Sequence, residues 1–496
     1  MIPDRLSDLC AQHAAVRPDA VAVRFEGRTV SWQALHARGE ALAGWLWQHA
    51  GVRAGDRVAW LGFNHLDQLA LLLALARIGG ILVPLNFRLA PAEWDAVWRD
   101  CTPVGVVHDA AWQEAATALA QRHGAAVWPV DALECAVASL LPPDHRTAAQ
   151  AAAAPALLVY TSGTTGVPKG AVHTQGQLLA NMAAACAVQS LTAQDTVLTV
   201  LPMFHVGGLC IQTLPALAAG ATVVLHPRFE PQAMLQSIAT DRPTLTLVVP
   251  AVMKALIDHP AWAATDLSSL RAVWAGSSTL PAALVEAFHA RGLSVCNVYG
   301  ATETGPFSIA LGPTHARSHA GSCGWPAPGV EVRRGDTRDG VGELLIRAPN
   351  VVRHYWPDRP AVDADGWFHS GDLGAQAADG SWRVVGRSKD MIISGGENIY
   401  PAEIENLLAA HPAVADCAVV GLPDARWGEV VVAALVPRAG QALQPEALAR
   451  YLEPQLARYK LPRRYALLDA LPKTALGKVQ KAVLQQQLAH PVGEGA

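Results

Sequence analysis

Two textures of apolar residues alternate along the first half of the chain. WQALHARGEALAGWLWQHA (32–50) and LDQLALLLALARIGG (66–80) carry apolar side chains at helical spacing or almost throughout. DRVAWLG (56–62) and ILVPLN (81–86) are short apolar runs that read as strands. The second texture recurs at ATVVLH, TLTLVVP, LRAVWAG and LSVCNVYG, each closing on a glycine, proline or polar residue. Alternation of this kind predicts parallel α/β sheets covered by helices on both faces. It also puts the ligand-binding loops at the strand ends. Near Glu331 the pattern changes. VEVRRGDTRDGVGELLIRAP and GSWRVVGR read as short antiparallel strands, a small β-barrel-like part, and about a hundred residues of mixed α and β follow. The predicted fold is therefore α/β. It has a large N-terminal domain (1–386) of parallel-rich sheets, a hinge at 387–389 and a smaller, mobile α+β C-terminal domain (390–496).

Composition narrows the class. The 51% apolar fraction supplies ample core, and a net charge of −4 does not suit a nucleic-acid partner. The eight cysteines stand singly without a CxxC pair, which speaks against a zinc site and suits a reducing cytoplasm. The N-terminus shows no basic segment leading into an apolar one, so no signal peptide is expected. Between Thr196 and Leu225, His205 is the one residue among Asp, Glu, Lys, Arg and His. Pro202, Pro215 and several glycines interrupt that stretch, so it is read as strand, loop, helix and strand rather than as a membrane span.

The densest chemistry lies in YTSGTTGVPKG (160–170), between an apolar run and a helix-like segment. Glycine backbone amides, the hydroxyls of Thr161, Ser162, Thr164 and Thr165, and the Lys169 cation together match a polyphosphate. Val167 and Pro168 separate the last glycine from the lysine, so this is not a Walker A loop. Read alone, the stretch is either a phosphate cradle or a solvated turn.

Four more motifs follow in order: NVYGATETG (297–305), GWFHSGDLG (366–374), GRSKDMIISGGENIYPAEIE (386–405) and LPKTALGK (471–478). With the first, they resemble the adenylate-forming superfamily, which includes the AMP-forming acyl-CoA synthetases, over nearly the whole chain. The resemblance implies ATP, Mg²⁺ and coenzyme A as partners of a small carboxylic acid. It assigns Thr161, Ser162, Gly163, Thr164, Thr165, Gly166 and Lys169 to the β- and γ-phosphates. Thr302 goes to the α-phosphate and Glu303 to Mg²⁺. Tyr299, with Asn297 and Gly300 from the same motif, is assigned to adenine, with Gly276, Ser277 and Ser278 on the opposite wall. Asp372 and Arg387 take the ribose.

By the same resemblance Lys478 is the catalytic lysine of adenylation, and His205 gates the acyl site or lies beside the acyl-adenylate. Lys389 is the pivot about which the small domain turns, bringing Gly395 and Gly396 past the pantetheine arm of coenzyme A. Trp427 and Tyr459 flank its adenine and Arg463 meets a phosphate, while Leu461 stands where relatives carry a second basic residue.

In the amino-acid-activating members of the superfamily that the chain resembles, an aspartate near this segment pairs the substrate ammonium; none stands between Val197 and Leu225, so an amino acid is disfavoured. The loops bearing Val206, Gly207, Pro250 and Gly276 are expected to leave an apolar, roomy pocket. The leading expectation is a medium-to-long-chain fatty acid. A benzoate- or hydroxycinnamate-type aromatic acid is the alternative, and loading of a carrier protein is the rival of another class. Peripheral membrane contact and a homodimer stay open.

Overall fold

In a computed structural model of the chain, all residues are described except 1, 135–146, 163–167, 277–279, 339, 395–396, 425, 475–476 and 490–496. The strand–helix alternation builds two mainly parallel sheets. The central strands of the first run in the order Val21–Phe25, Thr222–Leu225, Thr196–Thr199, Leu245–Val248, Ala272–Gly276 and Val295–Tyr299, with short antiparallel strands at both edges. The second runs Ala126–Pro129, Gly105–His108, Arg57–Leu61, Ile81–Pro84 and Pro155–Ser162 in parallel. It then turns antiparallel through Pro168–Thr174 and His354–Tyr355.

The helix Leu66–Ile78 shows why the sequence was so uniformly apolar there. Leu69 and Leu72, which are buried, join one hydrophobic cluster with Val23 and Val197 of the first sheet and Val58 and Leu157 of the second. A helix wedged between sheets has no solvent face to mark with polar residues. His65 caps its start by accepting from the Asp67 amide, and Gly79 ends it in the left-handed conformation (φ 80°). The Thr196–Leu225 stretch resolves as strand, loop, helix and strand, with a turn of π-helix at Leu209–Thr213. Among the described residues no helix is long and apolar enough to cross a membrane.

The third sheet is antiparallel, in the order Glu331–Arg338, Val341–Arg347, Phe368–Gln376 and Trp382–Arg387. After it come the 3-10 turn Ser388–Asp390 and a fourth sheet built mainly on the hairpin Val414–Asp424 and Gly428–Pro437. Separate apolar clusters cover the two faces of this last sheet. The described cysteines are free and buried or half-buried.

The parallel strands are tied together at their starts. Asp195, just before Thr196–Thr199, accepts from Thr244 Oγ1 (2.7 Å), just before Leu245–Val248. It also accepts from Arg271 Nε (3.1 Å), just before Ala272–Gly276. Arg271 Nη2 further donates to Gln189 O at 2.8 Å. Burial alone would raise the Asp195 carboxyl pKa, but the hydrogen bonds from Arg271, Thr244 and Thr192 outweigh it and hold the pKa below the usual range. Arg271→Ala leaves this carboxylate without its cation, with an expected loss of about 2 kcal/mol, less than for a fully buried pair because Arg271 is part-exposed. A depressed carboxyl stabilises above its unfolded pKa and stops doing so as pH falls through the folded one. Denaturant titrations should therefore show the gap from wild type at about pH 7 and its shrinkage towards about pH 3.

Candidate active site

The glycine–hydroxyl stretch is the tip of a hairpin. Thr161 pairs with Lys169 and Ser162 with Pro168 across the antiparallel strands. A strand, Pro168–Thr174, follows where a helix-like segment was expected, and the helix Gln175–Gln189 starts only after its Thr174 cap. Proline at 168 and β-branched Val172 and Thr174 explain the extended backbone. Gly163, Thr164, Thr165 and Gly166, and the side chain of Ser162, lie outside the described residues, as do Ser277, Ser278, Gly395 and Gly396. At the base of the hairpin Tyr160 donates to Asp100 (2.6 Å), and Trp356 N donates to Gly170 O (2.7 Å). Lys169 Nζ stands 5.6 Å from the centre of the Tyr355 ring, within cation–π range.

Strands Ala272–Gly276 and Val295–Tyr299 end side by side, with Gly276 opposite Val298. A Cβ at Gly276 would meet Val298 O at 2.6 Å, and one at Gly300 would collide with Pro306 O. Gly208, in the acyl loop, is equally hemmed in by the carbonyls of Leu201 and Pro202. The smallness of Gly276 is thus spent on backbone packing, which corrects the expectation that it leaves pocket volume. One pleat below Gly276, Trp274 is fully buried with its ring centre 5.9 Å from that of Phe307.

After Tyr299 the chain forms the 3-10 turn Thr302–Thr304, in which Thr302 is buried and Glu303 half-buried. The carbonyl of Glu303 accepts from Val352 N (2.8 Å), and its Oε1 from the Tyr355 hydroxyl (2.9 Å). Its Oε2 has no hydrogen-bond partner among the described residues. Among these residues no group of three His, Cys, Asp or Glu is placed to hold a metal ion by itself. One hard anionic oxygen beside a phosphate-type loop fits Mg²⁺, which keeps several waters and takes most other ligands from substrate phosphates.

Asp372 is the point where three parts of the fold meet. Its Oδ2 accepts from the Tyr299 hydroxyl of the first sheet (2.8 Å). Its Oδ1 lies 3.1 Å from Nε of Arg387, its cross-strand partner and the last residue before the Ser388–Asp390 turn. Burial, then the Asp372 charge, raise the Tyr299 phenol well above its usual pKa, so it stays a donor. Asn297 commits its amide nitrogen to Ser322 O (3.1 Å).

His205 caps a short helical turn by accepting from Gly207 N at Nδ1 (3.1 Å), which leaves its proton on Nε2. Burial, helped by the nearby Lys478 charge, lowers its pKa to about 4, so the ring is neutral. Lys478 reaches this region on a tight turn in which Thr474 N donates to Lys478 O (2.7 Å) and Gly477 is left-handed (φ 78°). Its neighbours in sequence are engaged elsewhere: Lys473 pairs with Asp416 (2.5 Å) and Lys481 with Glu405 (2.8 Å). Lys478 has no ion pair among the described residues, and it feels the charges of Arg387, Asp372 and Glu303. Its side chain is open to water, yet the surrounding walls withhold hydration. That, with Arg387, lowers its pKa against the opposing pull of Asp372 and Glu303. The basic run is therefore no uniform solvated face.

The remaining predicted residues are only partly gathered. Arg463 lies over the half-buried Trp427 ring (4.1 Å), with Arg426 also near it (5.0 Å). Tyr459 is 40% exposed, and its recorded ring contact is Lys460, not Trp427. Lys389 is exposed in its 3-10 turn. Sequence reasoning missed Tyr355, which sits in RHYWPDRP, a stretch with no motif character.

Comparison with known proteins now decides the family. The AMP-binding enzyme profile matches residues 10–356, and the AMP-binding enzyme C-terminal domain profile matches 403–478. The chain belongs to the AMP-binding enzyme family. Among its relatives in that family, an indoleacetate–CoA ligase from Aromatoleum aromaticum is 44% identical, covering 98% of each chain. A feruloyl-CoA synthase from an Amycolatopsis species is 40% identical, over 96% of this chain and 97% of its own. The o-succinylbenzoate CoA synthetase of Bacillus subtilis, solved with its acyl-adenylate intermediate, superposes with a TM-score of 0.86 at 31% identity, over 96% of this chain and 98% of that one. The same enzyme is solved with ATP and magnesium ion.

A solvent-open amine with a lowered pKa carries more of the reactive neutral form at mildly alkaline pH. Limited labelling with trinitrobenzenesulfonate at about pH 8, read by peptide mass spectrometry, should modify Lys478 ahead of the ion-paired Lys473 and Lys481. Equal labelling of the three would contradict the environment described for Lys478.

Proposed function

We propose that this AMP-binding enzyme is an AMP-forming acid–CoA ligase whose acid is aromatic, with the ring one or two carbons from the carboxylate. The observation that carries the ligase reading is Lys478: a cation without an ion-pair partner among the described residues, brought by the C-terminal part to the edge of Asp372, Glu303 and His205. Such a lysine is free to meet charge that develops only during reaction.

In the first half-reaction an oxygen of the acid attacks the α-phosphorus of ATP, the bond to the β-phosphate oxygen breaks, and pyrophosphate leaves. Lys169 and the hairpin tip receive the β- and γ-phosphates. Thr302 meets the α-phosphate, and Asp372 accepts from the ribose hydroxyls while Arg387 and Tyr299 hold its carboxylate. Glu303 would hold Mg²⁺, which neutralises phosphate charge when bound. Lys478 stands between the carboxylate and the α-phosphate and offsets the charge of the crowded phosphorus centre. Neutral His205 presents Nε2–H at the acyl end as a donor. In the second half-reaction the coenzyme A thiolate attacks the acyl carbonyl, forming the thioester and releasing AMP. Residues 387–389 are the pivot that withdraws Lys478 between the two steps and admits the 394–398 loop. Trp427 with Arg463 remains the candidate contact for the nucleotide end of coenzyme A.

The aromatic reading replaces the fatty-acid expectation. The relatives at 44% and 40% identity are named for indoleacetate and feruloyl substrates. The glycines read as pocket space add little of it, since a Cβ at Gly276 or Gly208 would meet backbone carbonyls.

Two measurements test this. AMP release should be fastest with indoleacetate, phenylacetate or hydroxycinnamates in a panel that also holds acetate, benzoate, malonate and palmitate. A preference for palmitate would restore the long-chain reading, and AMP release without thioester formation would point to a carrier-protein loader. Lys478→Ala should slow acyl-AMP formation by about 10²–10³-fold. It should largely spare thioester formation from supplied acyl-adenylate, and equal loss in both would refute a role confined to the first step.

A further inference from the structure

The segment 350–356 packs directly beneath the two charged groups proposed to receive MgATP. Asn350 Nδ2 donates to Thr304 O (2.6 Å), Val352 N to Glu303 O (2.8 Å) and Trp356 N to Gly170 O (2.7 Å). Between these anchors the two-residue strand His354–Tyr355 pairs with the hairpin strand of Lys169, Tyr355 lying opposite Ala171. Tyr355 thereby faces both groups. Its hydroxyl donates to Glu303 Oε1 at 2.9 Å, and its ring faces the Lys169 ammonium at 5.6 Å. Lys169 and Glu303 form no ion pair among the described residues, although each touches the same side chain.

We propose that Tyr355 is a positioning residue that keeps Lys169 and Glu303 apart and oriented for the magnesium–triphosphate. Opposite charges sharing one neighbour in a half-buried cleft would gain by closing on each other. A closed pair would have to be broken before the phosphates could take the lysine and the metal could take the carboxylate. The aromatic ring occupies the place between them and offers the ammonium a π face instead of an anion. The phenol satisfies one carboxylate oxygen and leaves Oε2 to face the metal, the arrangement by which an outer hydrogen bond orients a metal ligand. This inference rests on the roles given above to Glu303 and Lys169.

Three variants separate the contributions. Tyr355→Phe keeps the ring over Lys169 and loses the donor to Glu303. Tyr355→Leu loses both, and Glu303→Gln tests the underlying assignment. The primary readout is binding without turnover, by calorimetric titration of Mg²⁺ into enzyme saturated with α,β-methylene-ATP. It is accompanied by the Mg²⁺ activation curve of acyl-AMP formation, thioester formation from supplied acyl-adenylate, and the thermal midpoint.

Tyr355→Phe should weaken Mg²⁺ binding by about 10-fold, at the low end of what loss of an outer partner costs a metal site, and leave the thioester half-reaction intact. Tyr355→Leu should in addition weaken binding of the ATP analogue, which Tyr355→Phe should not. A Tyr355→Phe isotherm that overlays wild type, or an equal fall of both half-reactions tracking a lower thermal midpoint, overturns the proposal. If Glu303→Gln weakens Mg²⁺ binding while Tyr355→Phe does not, the tyrosine inference alone fails. If Glu303→Gln leaves Mg²⁺ binding unchanged, the metal assignment falls and the inference falls with it.

Discussion

The carboxylate of Asp372 is the contact on which the geometry of this cleft depends. One oxygen is held by a tyrosine at the end of a parallel strand, and the other by an arginine at the end of an antiparallel one. The tyrosine contact ties the third sheet to the first, alongside the Gly324–Trp382 bridge, the bonds of Ser322 and Cys323 to Trp382 O and apolar packing, while the arginine contact closes within the third sheet. A buried carboxylate with only one of these partners would be costly, and its cost would fall where the third sheet must stay in register with the first. The joint therefore does structural and chemical service together. It fixes the angle at which the last strand runs into the 388–390 turn, and so the direction from which the C-terminal part delivers its lysine.

Much of this was legible in the chain because it depends on local rules. Alternating helical and strand runs gave parallel sheets, and glycine, proline and polar residues at strand ends marked where the loops gather. Lys169, Glu303, Asp372, Arg387 and Lys478 stood out through five motifs taken together and their family resemblance, since Glu303 and Lys478 read singly as surface charges. Tyr355 was invisible for the opposite reason. Its importance comes from two partners 52 and 186 positions away in sequence, and nothing in RHYWPDRP announces either. The helix expected after the glycine loop starts later than the motif suggests, at Gln175, because Pro168–Thr174 first forms the second strand of the hairpin. Trp427, Tyr459 and Arg463 were grouped by resemblance alone, and the fold brings Arg463 over the Trp427 ring.

The glycines of the cleft are read differently in the fold than in the sequence. In sequence, a glycine beside an apolar loop suggests space, and space suggests a long chain. In the fold, Gly208, Gly276 and Gly300 each let one backbone segment lie against another, and an added methyl would strike a carbonyl oxygen. They mark where the walls are thinnest and tightest.

The buried cysteines gain meaning from the proposed chemistry. A thioester is a compound that any competent thiolate will exchange with, the acyl group passing to the attacking sulfur and the first thiol leaving. In this protein burial lifts the Cys10, Cys101, Cys186, Cys210, Cys296 and Cys417 thiols to about 12, and that of Cys323 to about 11. At neutral pH each of these sulfurs is protonated and shielded. The described polypeptide offers no rival to the sulfur of its own co-substrate, so chemoselectivity between like nucleophiles is secured by the packing of the core rather than by anything in the cleft.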